Sequence, residues 1–193
     1  YHLGRNGGPF DAPTCTALSA EICVALWYLH DHGVVHGDLK LDNIMVDEAG
    51  RIKLVDFGSA GRSIAGKRVH VRAGLRGTPA NMSPEVVALI DDQSAHLPGP
   101  PADWWALGVV LYELAYDEHP FHSGRLDGVF DAIRSVDPAF GHGGDEQIEA
   151  FICDLLVKEP ESRLVDEVAI RSHPIFSDID WAAVSLRTAD AVI

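Results

Sequence analysis

The chain has 193 residues, of which 47% are hydrophobic and 23% charged. That composition supports one buried core and excludes disorder as its general state. Its net charge of −14 argues against a nucleic-acid binder with a uniformly basic surface. No uninterrupted apolar run approaches the ~20 residues of a membrane-spanning helix, the longest, Trp104 to Tyr112, being cut by Glu113. No basic start leads into an apolar stretch and small residues, so no secretory signal is visible. The three cysteines, Cys15, Cys23 and Cys153, lack metal-like spacing and read as reduced core thiols of an intracellular, cytoplasmic protein.

In chain order, residues 4–13 are rich in Gly and Pro and predict a loop. Leu18, Ile22, Leu26 and Leu29 then recur at helical spacing, with Ser19 and Glu21 early and Gly33 past the end. This predicts an amphipathic helix stopped by glycine. Two apolar runs, Ile44–Val46 and Ile52–Val55, flank Asp47, Glu48, Ala49 and Gly50 and predict a β-hairpin. After Val55 no strand signal returns, because Gly58, Gly61, Gly66, Gly74 and Gly77 break every pattern. Pro84 and Glu85 open a short helix that Asp91 and Asp92 end, and Leu97–Pro101 reads as a linker. Asp103–Tyr116 is apolar on nearly all faces, which predicts a buried helix. Helical patterns follow near 125–135, 145–158 and 163–172. One hairpin and many helices predict a mainly α domain.

Charge is divided unevenly. Residues 1–100 carry a balance of −2 and residues 101–193 one of −12. Between Ser59 and Thr78 stand Arg62, Lys67, Arg68, Arg72 and Arg76 with no acid. Such a run is either a solvated loop or a surface that attracts acidic partners.

The residues that carry chemistry come in a fixed order. His36-Gly37-Asp38-Leu39-Lys40-Leu41-Asp42-Asn43 lies between the first helix and the hairpin. Asp56-Phe57-Gly58 follows the second strand, 13 residues after Asn43. Then come Gly77-Thr78-Pro79, Ser83-Pro84-Glu85, Asp103-Trp104-Trp105 with Gly108, and Arg163. This series resembles the C-terminal lobe of a eukaryotic-type protein kinase over nearly the whole chain.

The resemblance implies an α+β, protein-kinase-like fold: a predominantly α-helical C-terminal lobe with a short β-hairpin. Residues 34–43 would be the catalytic loop and 56–85 the activation segment of a partial kinase domain spanning 1–193. The implied reaction moves the γ-phosphoryl group of ATP, with Mg2+, to Ser/Thr hydroxyls of proteins. Asp38 would accept or orient the hydroxyl proton, and Lys40 would offset charge on the moving group. Asn43 and Asp56 would supply oxygen to magnesium, and Met45 would lie under the adenine. His36 and Phe57, with Gly58 freeing the turn, would stack in an internal spine. Glu85 would pair with Arg163, and Asp103 would hold the catalytic-loop backbone. Lys40 together with Thr78 is similar to serine/threonine rather than tyrosine kinases. Asp103–Gly108 and the late His173-Pro174-Ile175-Phe176 with Asp180-Trp181 resemble the AGC group, and the opening Tyr1-His2-Leu3 the YANK-type branch.

Three departures qualify the match. Nothing matches the glycine-rich loop, the strand lysine or its partner glutamate, which leads to the expectation that the chain starts near the hinge without an N-terminal lobe. Gly37 stands where most kinases carry an arginine that pairs with an activation-loop phosphate. Gly74 stands where AGC kinases usually have the phosphorylated threonine. The stretch Val86–Ala102 is also longer than the pattern.

The competing class is a pseudokinase-like interaction module, which has no physical need for Asp38, Lys40, Asn43 and Asp56 together. A metal-dependent hydrolase is disfavoured, because the ten histidines show no paired ligand spacing. The expected partner is a protein substrate, acidic near the phosphorylated residue, with no nucleic acid and no transmembrane segment.

Overall fold

The computed structural model describes residues 8–62, 78–91, 99–121 and 125–188. The first helix, α1 (Ala12–Asp31), starts inside the stretch predicted as loop. Asp11 caps it, its carboxylate accepting the Thr14 N–H at 2.9 Å. Pro13 is harmless there because the first helical turn needs no N–H. The far end closes at His32 and Gly33, the glycine adopting φ 69°. By length and composition alone α1 could cross a membrane. Here ten of its residues are buried, Ile22, Cys23 and Leu26 completely, so its apolar content is spent on the core.

That core is organised around α3 (Pro101–Tyr116), with eleven buried residues. Against it lie α1 and α5 (Glu146–Leu155). The approach of α3 to the end of α5 is close: a Cβ on Gly108 would stand 2.9 Å from Leu156 Cδ2 and 3.0 Å from Leu155 Cβ. Phe121 stacks on Trp105 at 5.4 Å, and Trp27 meets Trp104 at 6.0 Å.

The predicted hairpin pairs β2 (Ile44–Val46) with β3 (Ile52–Leu54), Ile44 opposite Leu54. Its turn is held by Asp47, whose Oδ1 accepts from Ala49 N at 2.9 Å and Arg51 N at 3.0 Å. A second pair corrects the sequence reading: β1 (Val34–Val35) runs antiparallel to β4 (Gly61–Arg62). Two-residue strands are too short to leave a period-two signal.

Helices α2 (Pro84–Asp91) and α4 (Leu126–Ser135) agree with the sequence. Helix α6 is only Glu167–Arg171. Residues 163–166 are not helical, and Asp166, extended, caps the helix, accepting from Ala169 N at 2.8 Å. A last helix, α7 (Trp181–Thr188), was not foreseen. It packs on α1, and the Arg171 guanidinium lies over Trp27 at 4.5 Å and Trp181 at 4.7 Å. Cys153 corrects a further expectation. It is exposed, on the face of α5 away from Ile148, Ile152 and Leu155, whereas Cys15 and Cys23 are core thiols.

The pairing of Glu85 with Arg163 joins α2 to the α5–α6 connection. Nη1 meets Oε1 at 2.7 Å and Nη2 meets Oε2 at 3.0 Å, a bidentate geometry. Arg163 is fully buried and also donates to the carbonyls of Val157, Pro101 and Lys158. Removing its partner strands a buried charge. In urea denaturation of the full-length protein, Glu85→Ala should cost ~3 kcal/mol. Glu167→Ala, which deletes an exposed pair with Arg171, should cost under ~1 kcal/mol. Equal losses would contradict the assignment.

Candidate active site

The site is built outward from Asp103, a carboxylate in the first turn of α3 with 1% exposure. Its Oδ2 accepts the His36 backbone N–H at 2.8 Å, and its Oδ1 accepts that of Gly37 at 2.9 Å. His30, in the last turn of α1, donates its Nε2 proton to Oδ2 at 2.9 Å. Three donors thus satisfy one buried carboxylate, and the first turn of a helix favours its charge.

The next layer is His36, completely buried. Its Nδ1 accepts the Asp38 N–H at 3.3 Å, which leaves Nε2 protonated to donate to Val55 O at 3.1 Å. The ring lies 5.0 Å from that of Phe57. The imidazole therefore bridges the loop that carries Asp38 and the strand end that carries Asp56.

Around Asp38 two segments converge, the His36–Asn43 loop and the stretch that begins at Thr78. Its Oδ1 accepts the Thr78 N–H at 2.8 Å, while Oδ2 stands 3.4 Å from Lys40 Nζ. Lys40 Nζ donates to Thr78 Oγ1 at 2.8 Å. One carboxylate oxygen is fixed, and the other faces the Lys40 ammonium group and accepts from Asn43 Nδ2 at 3.5 Å.

Asn43 and Asp56 flank the β2–β3 hairpin, whose register sets Asn43 opposite Val55, the residue before Asp56, with the Val55 N–H donating to Asn43 O at 3.0 Å. Asn43 is buried, and its Nδ2 donates to Asp38 O at 2.8 Å, so its amide oxygen is left for another partner. Asp56 has φ 62°, a left-handed conformation rare outside glycine. Its Oδ1 accepts the Gly58 N–H at 3.2 Å, and its side chain is exposed. Two hard oxygen donors without a closed cage suit Mg2+, which shares its shell with phosphate oxygens and water. Among the described residues no cluster of three or more His, Cys, Asp or Glu offers a different metal site. Met45 sits half-buried in β2, opposite Lys53.

Several expectations fall outside the described residues: Tyr1–Leu3, Gly74, Gly77, the basic residues Lys67, Arg68, Arg72 and Arg76, and the middle of Val86–Ala102. The sequence reading missed His30, whose partner is 73 residues away. It also missed why position 37 holds glycine. Gly37 has φ 74°, and a Cβ there would stand 2.9 Å from Ser59 O. The turn after Asp56 rests directly on the backbone of the His36–Asn43 loop.

Gly50 supplies a control, since it has the same φ of 74° but open space around its Cβ position. Gly50→Ala should cost the left-handed penalty alone, about 1 kcal/mol. Gly37→Ala should cost at least about 1 kcal/mol more, because the Ser59 carbonyl must move. Matching urea midpoints for the two variants would contradict the close approach.

The protein kinase domain family matches residues 2–176. The chain is 36% identical over 181 residues to "Protein kinase C" of Drosophila melanogaster, covering 92% of this chain and 23% of the relative. It is 36% identical over 192 residues to "Protein kinase C eta type" of Homo sapiens, covering 97% and 27%. "Developmentally-regulated protein kinase 1" of Dictyostelium discoideum is 36% identical over 184 residues, covering 94% and 24%. The chain therefore spans about a quarter of the length of the curated relatives it matches. With this match along the chain and a helical, C-terminal-lobe α+β architecture, the chain belongs to the protein kinase domain family.

Proposed function

We propose that the chain is the catalytic lobe of an ATP-dependent protein serine/threonine kinase acting in the cytoplasm, with Val34–Asn43 as catalytic loop and 56–85 as activation segment. The observation that carries this reading is the convergence of Asp38, Lys40 and Thr78 within hydrogen-bonding and ion-pair distance, beside the oxygen donors of Asn43 and Asp56. Asp38 Oδ2, whose partner oxygen is already fixed by Thr78, orients the substrate hydroxyl and takes its proton. The Lys40 ammonium, held by Thr78 Oγ1, offsets negative charge on the transferred group. Asn43 and Asp56 would hold the divalent cation, which would supply positive charge against the triphosphate. Met45 lines the adenine side. His36, Phe57, Gly58, Asp103, Glu85 and Arg163 keep these groups in register.

Position 37 carries no charge, so the reading includes activity without activation-loop phosphorylation. The basic residues Arg62, Lys67, Arg68, Arg72 and Arg76 lead in sequence to Thr78. They favour acidic protein substrates at low salt.

The test is radiolabelled phosphoryl transfer from ATP by the full-length protein, unphosphorylated on its loop, to acidic and basic Ser/Thr peptides. Transfer should require Mg2+, and Asp38→Asn should lower kcat by roughly 10²–10⁴-fold. Asp56→Asn should abolish it, and the acidic peptides should lose their advantage at high salt. Undiminished transfer by both variants defeats the catalytic assignment, and equal peptide rates at all salt concentrations defeat the substrate preference.

A further inference from the structure

Glu21 lies in the middle of α1, nearly buried, and the mechanism above gives it no task. Its Oε2 accepts the backbone N–H of Ile52 at 3.0 Å. Its Oε1 stands 3.3 Å from Nη2 of Arg187 in α7. The same Nη2 lies within 3.5 Å of Gly50 O, in the turn of the hairpin. One carboxylate and one guanidinium thus tie α1, α7 and the hairpin together. Ile52 is completely buried, so without Glu21 its N–H would lose a partner that water cannot replace.

The position of this tie gives it a consequence. Ile52 opens β3, which ends two residues before Asp56, and its pairing partner β2 begins just after Asn43. A tilt of the hairpin moves these two oxygen donors relative to the loop that carries Asp38. The clamp comes from α7, which lies beyond residue 176, where the kinase-domain match ends. Trp181 fixes the start of α7 against Trp27 at 5.3 Å, and Arg187 reaches Glu21 from its last turn.

We propose that Glu21 is a positioning residue for the Asn43–Asp56 pair and that Arg187 is its counter-ion, so that α7 sets the affinity of the hairpin for a divalent cation. The proposal rests on the kinase reading in one respect: Asn43 and Asp56 must be the cation ligands. Arg187 is more than half exposed, so a segment or partner that displaced α7 would remove the counter-ion without touching the site. Glu21 would then carry its charge in a buried place with only the Ile52 N–H to balance it.

The experiment compares Arg187→Ala, Glu21→Gln and the double variant in the full-length protein. Amide hydrogen exchange reads the tie at Ile52. Binding of Mn2+ in the presence of a non-hydrolysable ATP analogue, followed by electron paramagnetic resonance, reads the positioning. Arg187→Ala should speed Ile52 exchange about tenfold and weaken Mn2+ binding by up to about tenfold. Glu21→Gln keeps an oxygen for Ile52 and needs no counter-ion, so the double variant should recover most of both losses. Unchanged exchange in Arg187→Ala overturns the tie. Faster exchange with unchanged Mn2+ affinity overturns the positioning role, and strictly additive losses in the double variant overturn the charge coupling. No Mn2+ binding by the unsubstituted protein overturns the positioning role and the kinase reading together, and exchange then judges the tie alone.

Discussion

The arrangement depends on one buried carboxylate, that of Asp103. Taking a carboxylate out of water is expensive unless its oxygens are fully hydrogen-bonded. Here the donors are the backbone N–H groups of His36 and Gly37 and the His30 ring. Satisfying the charge therefore fixes the His36–Asn43 loop against α3, the most buried helix among the described residues. Because α3 is immobilised on nearly every face, the loop inherits its rigidity. His36 passes the constraint to Asp38 on one side and to Val55 and Phe57 on the other. A functional site needs this kind of support, since a small displacement of a reacting group is costly in rate.

The constraint reaches a second stretch of chain through Thr78. Its N–H and hydroxyl engage Asp38 and Lys40, so the stretch that begins at Thr78 closes onto the His36–Asn43 loop. Seven residues later Glu85 is anchored by Arg163. Between Asp56 and the loop, Gly37 lets the backbone at Ser59 approach more closely than any side chain would allow. The segment is thus held at both described ends by contacts that need no added phosphate.

Much of this was legible in the sequence because the chemistry is local and ordered. Asp38, Lys40 and Asn43 share one loop, and Asp56 follows a strand that the hydrophobic pattern marks. The apolar all-round pattern of 103–116 announced the buried helix, and the Asp47–Gly50 turn announced the hairpin. What escaped notice was either short or distant. The β1–β4 pair has two residues in each strand, below the length at which alternation can be recognised. The start of α1 was hidden by Pro13, which breaks a helix interior but suits its first turn. His30 with Asp103, and Glu21 with Ile52 and Arg187, are separated by 73, 31 and 166 residues. No local pattern announces such partners. Glu21 in particular read as an acid near the start of the helix, whereas it lies in the middle of α1, and only its burial reveals the hydrogen bond it makes.

The central claim is that Asp103 holds the His36–Asn43 loop, proposed as the catalytic loop, in its working geometry. The most direct measurement is amide exchange at His36 and Gly37 in Asp103→Asn, alongside phosphoryl transfer by the same full-length protein. The amide can offer only one acceptor oxygen, and its NH2 group opposes an N–H that the carboxylate accepted. The account predicts much faster exchange at one or both positions and a large fall in kcat, with the peptide KM little changed and the amides of α5 still protected. Unaltered loop exchange and full transfer in Asp103→Asn would contradict it.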